Sequence, residues 1–193
     1  MGLDSELSLA SLCARVGDFS IGVGAGLDRG TTNCVGAHAC DHGSVHAKMS
    51  LNYRVVNGVE LHVLAFDAGR FGGGDTSPRG MPFSGRFKGR AVGAAAGYRW
   101  TFMPEWSLKG QLGVVSVRTR FDYAAPFTVD VDVDVDVDVD ADKTTTQPLA
   151  GLSLAHAFTP NWQLSLDYDE TRFKAHTTRG SLRMVGLAAQ YEF

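Results

Sequence analysis

The sequence predicts an all-β fold, an eight-stranded antiparallel up-and-down transmembrane β-barrel. Three observations predict it. Apolar residues alternate strictly with polar or small ones over stretches of roughly ten residues. Short turns centred on Gly or Pro alternate with longer polar connections, and the last alternating run ends on Tyr191 and Phe193. The composition agrees: 193 residues carry 23 Gly, which suit crowded or bent strands and disfavour helices. No run of about 18 apolar residues exists, which excludes a spanning helix but not a spanning strand, where every second residue suffices.

The first strand sets Phe19, Ile21, Val23, Ala25 and Leu27 against Ser20, Gly22, Gly24 and Gly26. The second sets Val45, Ala47, Met49, Leu51 and Tyr53 against His46, Lys48, Asn52 and Arg54, and Val56-Asn57-Gly58 turns the chain into the third, with Gly where a left-handed conformation is needed. In the third, Val59, Leu61 and Val63 oppose Glu60 and His62. A repeat, Phe-x-Pro-x-Trp, then recurs at Phe102–Trp106 and Phe158–Trp162, each between two alternating runs, with proline starting the turn. It fixes face parity. Tyr98, Trp100 and Phe102 share a face in strand four, as do Trp106, Leu108, Leu112 and Val114 in strand five. Leu152, Leu154 and Phe158 match Trp162, Leu164, Leu166 and Tyr168 in strands six and seven, and Val185, Leu187, Ala189, Tyr191 and Phe193 close strand eight.

Trp100, Phe102, Trp106, Phe158, Trp162, Tyr191 and Phe193 then form an aromatic girdle at one membrane interface. In a soluble sandwich the same aromatics would be core corners. Longer connections fall near residues 29–43, 70–86, 122–146 and 174–180, all at the end away from both termini. With apolar residues outward and polar or small ones inward, a soluble ligand-binding barrel is excluded.

Gly17–Leu27, the Cys34/Cys40 loop, Gly151–Asn161 and Val185–Phe193 together resemble the OmpA-like transmembrane barrel family, OmpX- and opacity-type proteins included. The resemblance spans residues 16–193. It implies an integral protein of a bacterial outer membrane with both termini periplasmic, inserted by the barrel assembly machinery, with roles in envelope integrity or adhesion. Two departures from the family are expected: a barrel without the peptidoglycan-binding domain of the full OmpA type, and Ala188 at an assembly-signal position where glycine is frequent. The barrel is expected to occupy residues 15–193. Residues 1–14 carry Asp4 and Glu6 without a basic start, and read as an N-terminal segment that could be the remnant of a signal peptide.

Inward parity collects Lys48, Arg54, Glu60, His62, Arg99, Lys109, Asp167 and Glu192, with Arg54 facing Glu60 and Arg99 facing Lys109 in hairpin register. Eight strands leave room for packed side chains only, so an ionic plug is preferred over a gated small channel. Outward parity, carried past the apolar band, reaches Lys88, Arg90, Arg118 and Arg120. Pairing Phe102 with Trp106 sets Arg90 opposite Arg118 and Lys88 opposite Arg120. Like charges across a sheet repel, so this arrangement calls for an anionic partner. With Arg172, Lys174 and Arg183 at the same level, the collar suits lipopolysaccharide phosphates, to which Arg binds bidentately. The alternative is a solvated rim of ordinary loop-end charges.

The remaining features are weaker. Cys34 and Cys40 suit a small disulfide loop in an oxidising compartment, leaving Cys13, and this is preferred over a metal site using His38, His42 and His46. The Val-Asp tract, Val129–Asp140 within a low-complexity loop at 128–142, holds seven aspartates at even positions through Asp142. The formal charge of −3 becomes +4 without them. Calcium binding is the sharper reading of this tract and a tolerated, self-repelling repeat the plainer one. His176, with Asp169 and Glu170 nearby, lacks a neighbouring serine for a lipid A-modifying enzyme, so no catalytic residue, metal or cofactor is expected. The expected function is non-enzymatic, with a narrow solute channel as the alternative.

Overall fold

A computed structural model describes residues 19–31, 42–56, 58–76, 82–124, 143–175 and 178–193. Cys13, Cys34, Cys40, His38, His176, the N-terminal segment and the Val-Asp tract lie outside the described residues, and so do the disulfide, metal and calcium expectations that need them.

Eight antiparallel strands close on themselves in sequence order. They are β1 (Phe19–Gly30), β2 (Gly43–Val56), β3 (Val59–Thr76), β4 (Pro82–Met103), β5 (Trp106–Ala124), β6 (Lys143–Ala157), β7 (Trp162–Ala175) and β8 (Thr178–Glu192). Closure is made by β1 and β8, paired from Ser20–Glu192 to Gly30–Leu182, and the Phe193 N–H donates to the Phe19 carbonyl at 3.1 Å. The two ends of the barrel sequence therefore meet at the rim that carries the short turns.

One row of paired residues measures the geometry. It runs Trp100, Leu108, Leu154, Leu166, Leu187, Ala25, Ala47, Asp67, and returns to β4 at Arg90, ten residues from where it started. A stagger of ten over eight strands sets the strands about 40° from the axis and the backbone cylinder roughly 16 Å across, room for side chains and nothing more.

The alternation predicted from sequence holds along every strand. Leu112 and Leu27 are 71% and 69% exposed, and Val23, Met49, Val63, Trp100, Leu152, Leu166 and Leu187 stand on the same outer wall. Ten residues separate Trp162 from Arg172 and Trp100 from Arg90, which at that tilt is an apolar band about 25 Å high, the height of a bilayer's hydrocarbon layer as barrels span it.

The inner wall differs from the expectation of polar or small residues throughout. Toward the long-connection end it holds a packed apolar cluster of Leu64, Phe66, Phe71, Val115, Val117, Leu149, Phe173, Leu182 and Met184. Polar residues fill only the rest. The connections expected near 70–86, 122–146 and 174–180 are also shorter, because β3 runs on to Thr76 against β4 from Pro82, β5 reaches Ala124, and Ala175 at the end of β7 pairs with Thr178 at the start of β8. A bulge between Ala68 and Arg70 restores Phe71 to the interior, so strand pairing continues past the point where alternation in the sequence breaks. At the second turn, Met103 rather than Phe102 pairs with Trp106. A bulge between Thr101 and Met103 absorbs the extra residue, leaving the expected register of the strand beyond intact.

Gly58 takes φ of 86°, and a Cβ there would lie 2.6 Å from the Arg99 carbonyl oxygen. Gly58→Val is expected to lower stability by about 1–3 kcal/mol, since both the left-handed backbone and the space exclude it. Gly89→Ala, whose Cβ would meet only Ala68 Cβ at 3.7 Å, should change it by less than about 0.5 kcal/mol. Urea unfolding of the liposome-inserted protein, followed by tryptophan fluorescence, compares the two.

Candidate functional site

Among the described residues two regions concentrate charge, the lumen and the outer rim above the apolar band. In the lumen the charges sort into tiers. Nearest the short turns, Glu60 on β3 is 2% exposed and acts as the hub. Arg99 Nε lies 2.7 Å from Glu60 Oε1, Arg54 Nε 3.7 Å from the same oxygen, and Lys109 Nζ 3.9 Å from Oε2. Glu192 Oε1 accepts from Arg54 Nη2 at 3.0 Å, Arg99 Nη1 at 3.1 Å and Gln163 Nε2 at 2.8 Å. Arg54 faces Glu60 and Arg99 faces Lys109 in register, so the hairpins themselves bring these groups together.

The middle tier is a second cluster. Lys48 Nζ donates to Asp169 Oδ2 at 2.5 Å and to Asp167 Oδ2 at 3.3 Å. Ser153 Oγ donates to Asp167 Oδ1 at 2.6 Å and Gln111 Nε2 to Asp169 Oδ1 at 2.7 Å. Gly151 makes this possible, because a Cβ there would meet the Gln111 amide nitrogen at 2.7 Å. Between the tiers, His62 Nδ1 lies 2.6 Å from Asn52 Oδ1, and Asn52 Nδ2 donates to Ser20 Oγ at 3.0 Å. Higher still, His46 Nδ1 pairs with Asp28, and Gly186 leaves space for the imidazole. In the two lower tiers four cations, Lys48, Arg54, Arg99 and Lys109, meet four carboxylates, Glu60, Glu192, Asp167 and Asp169.

Asp169 was missed as a lumen residue. Sequence parity with Asp167 would have found it, but its closeness to His176 assigned it to a surface loop. It is 3% exposed and held by Lys48 and Gln111, so it is not the acid of a rim-located catalytic group. His42 and His46 are likewise engaged, the first through Nδ1 at 3.0 Å from the Gly30 carbonyl.

On the outer rim, Arg90 stands opposite Arg118 and Lys88 opposite Arg120. The external anion that this pattern called for is supplied in part by the chain itself. Asp67 on β3 is the row neighbour of Arg90, with its Oδ2 2.9 Å from Arg90 Nε and 3.7 Å from Lys88 Nζ. Glu170 does the same for Arg183, at 3.6 Å. Two further cations belong to this rim. Arg70 pairs across with Lys88, extending a row of three cations to Arg120, and Arg29 pairs with Arg183. Both were hidden by assigning their positions to connections. Arg172 pairs with Ser181 at the same level.

At the opposite rim the girdle aromatics are on the outer wall, several in ring contact. Trp100 and Phe102 have centroids 5.6 Å apart, Trp162 and Tyr191 5.0 Å, and Tyr191 and Phe193 5.1 Å. Trp106 stacks instead on His156 at 4.6 Å, and Phe158 is exposed. Behind them a cavity of about 480 Å3 opens at the short-turn end and reaches Arg54, Arg99 and Glu192.

Removing the hub should be far costlier than removing a rim acid. Glu60→Gln leaves buried cations without their carboxylate and is expected to destabilise by about 3–5 kcal/mol. Asp67→Asn, on a side chain 41% exposed, should cost less than about 1 kcal/mol. Urea midpoints of the two variants in liposomes test the contrast.

No family model matches the sequence, and no curated protein is significantly similar to it. Solved structures are similar in fold. Neisserial surface protein A superposes with a TM-score of 0.65 at 15% identity, covering 91% of this chain and 97% of its own. The outer membrane protein OprG from Pseudomonas aeruginosa gives 0.54 at 11% identity over 92% and 97%. The N-terminal β-barrel domain of Pseudomonas aeruginosa OprF gives 0.53 at 15% over 90% and 97%. With its closed eight-strand sheet, apolar outer band and side-chain-packed interior, the chain has the fold of the OmpA-like eight-stranded outer-membrane β-barrels.

Proposed function

We propose that the protein is a non-enzymatic integral protein of a bacterial outer membrane, inserted by the barrel assembly machinery through its closing strand, with both termini periplasmic. Its cationic rim engages lipopolysaccharide phosphates, and its long connections serve envelope integrity or surface interaction. The observation that carries this reading is the filled lumen. Four cations and four carboxylates neutralise one another in its lower part, and an apolar cluster closes the part above. A barrel packed in this way has its outer wall and its connections left for contact with other molecules. The rim supports the lipid contact by its facing cations: among the described residues Arg90 stands opposite Arg118, Lys88 opposite Arg120 and Arg29 opposite Arg183.

A narrow small-solute channel is the second reading, favoured by the cavity that reaches Arg54, Arg99 and Glu192 from the short-turn end. Planar-bilayer recording separates the two. The purified protein is expected to give no steady conductance steps, and regular steps abolished by Glu60→Gln or Lys48→Gln would establish the channel instead. Membrane-extracted protein should migrate differently on gels before and after boiling. Arg90→Gln with Arg118→Gln should reduce lipopolysaccharide co-purification several-fold, as expected for charge-assisted contacts, and unchanged co-purification would remove the rim from the proposal.

A further inference from the structure

On the outer wall the apolar band is not smooth. Across β4 to β7 it sinks into a groove of about 590 Å3 whose lining includes Ala96, Tyr98, Leu112, Ala150, Leu152 and Tyr168. Two adjacent rows of paired residues make it. One runs Tyr98, Gly110, Leu152, Tyr168, and the other Ala96, Leu112, Ala150, Glu170. The small outward residues Ala96, Gly110 and Ala150 form the floor, while Tyr98, Leu152 and Tyr168 stand up around it. Three interstrand steps make the groove about 14 Å long. Gly110 faces open space: a Cβ there would meet nothing nearer than Leu152 Cδ2, at 3.8 Å.

The groove ends in charge. Tyr168 Oη donates to Glu170 Oε2 at 3.0 Å, and Arg183 Nε lies 3.6 Å from the same oxygen. The next outward residue along β7 is Arg172. The trough therefore lies within the apolar band and leads up to a cationic rim.

We propose that this groove seats an acyl chain of a phosphorylated glycolipid of the lipid A type, whose phosphate is held above it by Arg172 and Arg183. The inference rests on the reading of the rim as a phosphate-binding collar and adds to it a site for the tail. The charge at the groove's upper end favours an anionic headgroup, and a trough of this length favours one defined chain over the general lipid annulus. Because a bilayer offers no hydrophobic gain for leaving it, the fit must come from van der Waals packing in the trough together with the phosphate contacts.

The test uses the full-length refolded protein and three probes: hexa-acylated bisphosphorylated lipid A, the same bisphosphorylated disaccharide without acyl chains, and phosphatidylglycerol. Native mass spectrometry reads the retained adduct. Ala96→Leu with Ala150→Leu fills the floor, and both positions face lipid, where leucine is well tolerated, with heat-modifiable migration as the check on folding. This pair is expected to lower lipid A retention about tenfold, the loss of a well-packed chain contact, and to leave binding of the deacylated disaccharide unchanged. Arg172→Gln with Arg183→Gln should lower both. Equal retention of lipid A by wild type and the leucine pair overturns the groove, whatever the arginine variants do. If the arginine variants bind both ligands as wild type does while the leucine pair loses lipid A, the phosphate collar fails and the tail site stands. Equal retention of phosphatidylglycerol and lipid A by wild type overturns the assignment to a glycolipid.

Discussion

Pairing of β1 with β8 is the contact on which everything else in the molecule depends. A sheet in hydrocarbon has no water to satisfy an open edge, so it must close, and the two strands that close it are the first and last. Their register decides the stagger of ten residues, the stagger decides the tilt and bore, and the bore decides what fits inside. Small residues at this seam matter for the same reason. Gly24, Gly26, Gly186 and Ala188 face one another there, and a Cβ at Gly24 would lie 2.8 Å from that of Ala188. Ala188 is the departure from glycine noted in the closing strand. It fits because its partner, Gly24, has no side chain.

Beyond the cavity at the short-turn end, a bore of this size keeps its charges out of water, so each ionic group there must be met by another protein group. Tiers are how the chain achieves this. Glu60 and Glu192 gather three cations contributed by β2, β4 and β5, and Lys48 spans from β2 to the two aspartates of β7. These contacts tie together strands that are not neighbours in the sheet, bracing the cylinder across its diameter. The apolar cluster at the other end does similar work by packing, with Phe66 from β3, Val117 from β5, Phe173 from β7 and Met184 from β8. The lumen is thus a core in two chemistries, each holding opposite walls at a fixed distance.

Much of this was legible because period-two alternation reports two things at once, the strand and the face. The Phe-x-Pro-x-Trp turns made the parity of four strands readable, and from parity alone Arg54 met Glu60 and Arg99 met Lys109. Legibility failed where the period slips. The bulges at Ala68/Arg70 and Thr101/Met103 shift the pattern by one residue, so strands that continue past a bulge look like connections. Arg70 was lost in this way. Asp67 was lost for a different reason: it faces Arg90 across the β3–β4 pairing, whose register no short turn in the sequence fixes. The apolar half of the lumen escaped because a leucine or phenylalanine facing inward looks the same in sequence as one facing lipid. Only the strand's phase, carried unbroken from a turn, separates them.

The strands are unequal, and this asymmetry bears on what the outer wall can do. β3, β4 and β5 have 18, 22 and 19 residues, while the others have 12 to 15. On that side the paired wall rises beyond the apolar band, and cations are set in register on a rigid sheet rather than on a loop. Charges so fixed lose less side-chain freedom when an anion arrives, which favours binding over mere attraction. Asp67 and Glu170 fit the same logic. Placed beside Arg90 and Arg183, they relieve repulsion between facing cations within the wall itself.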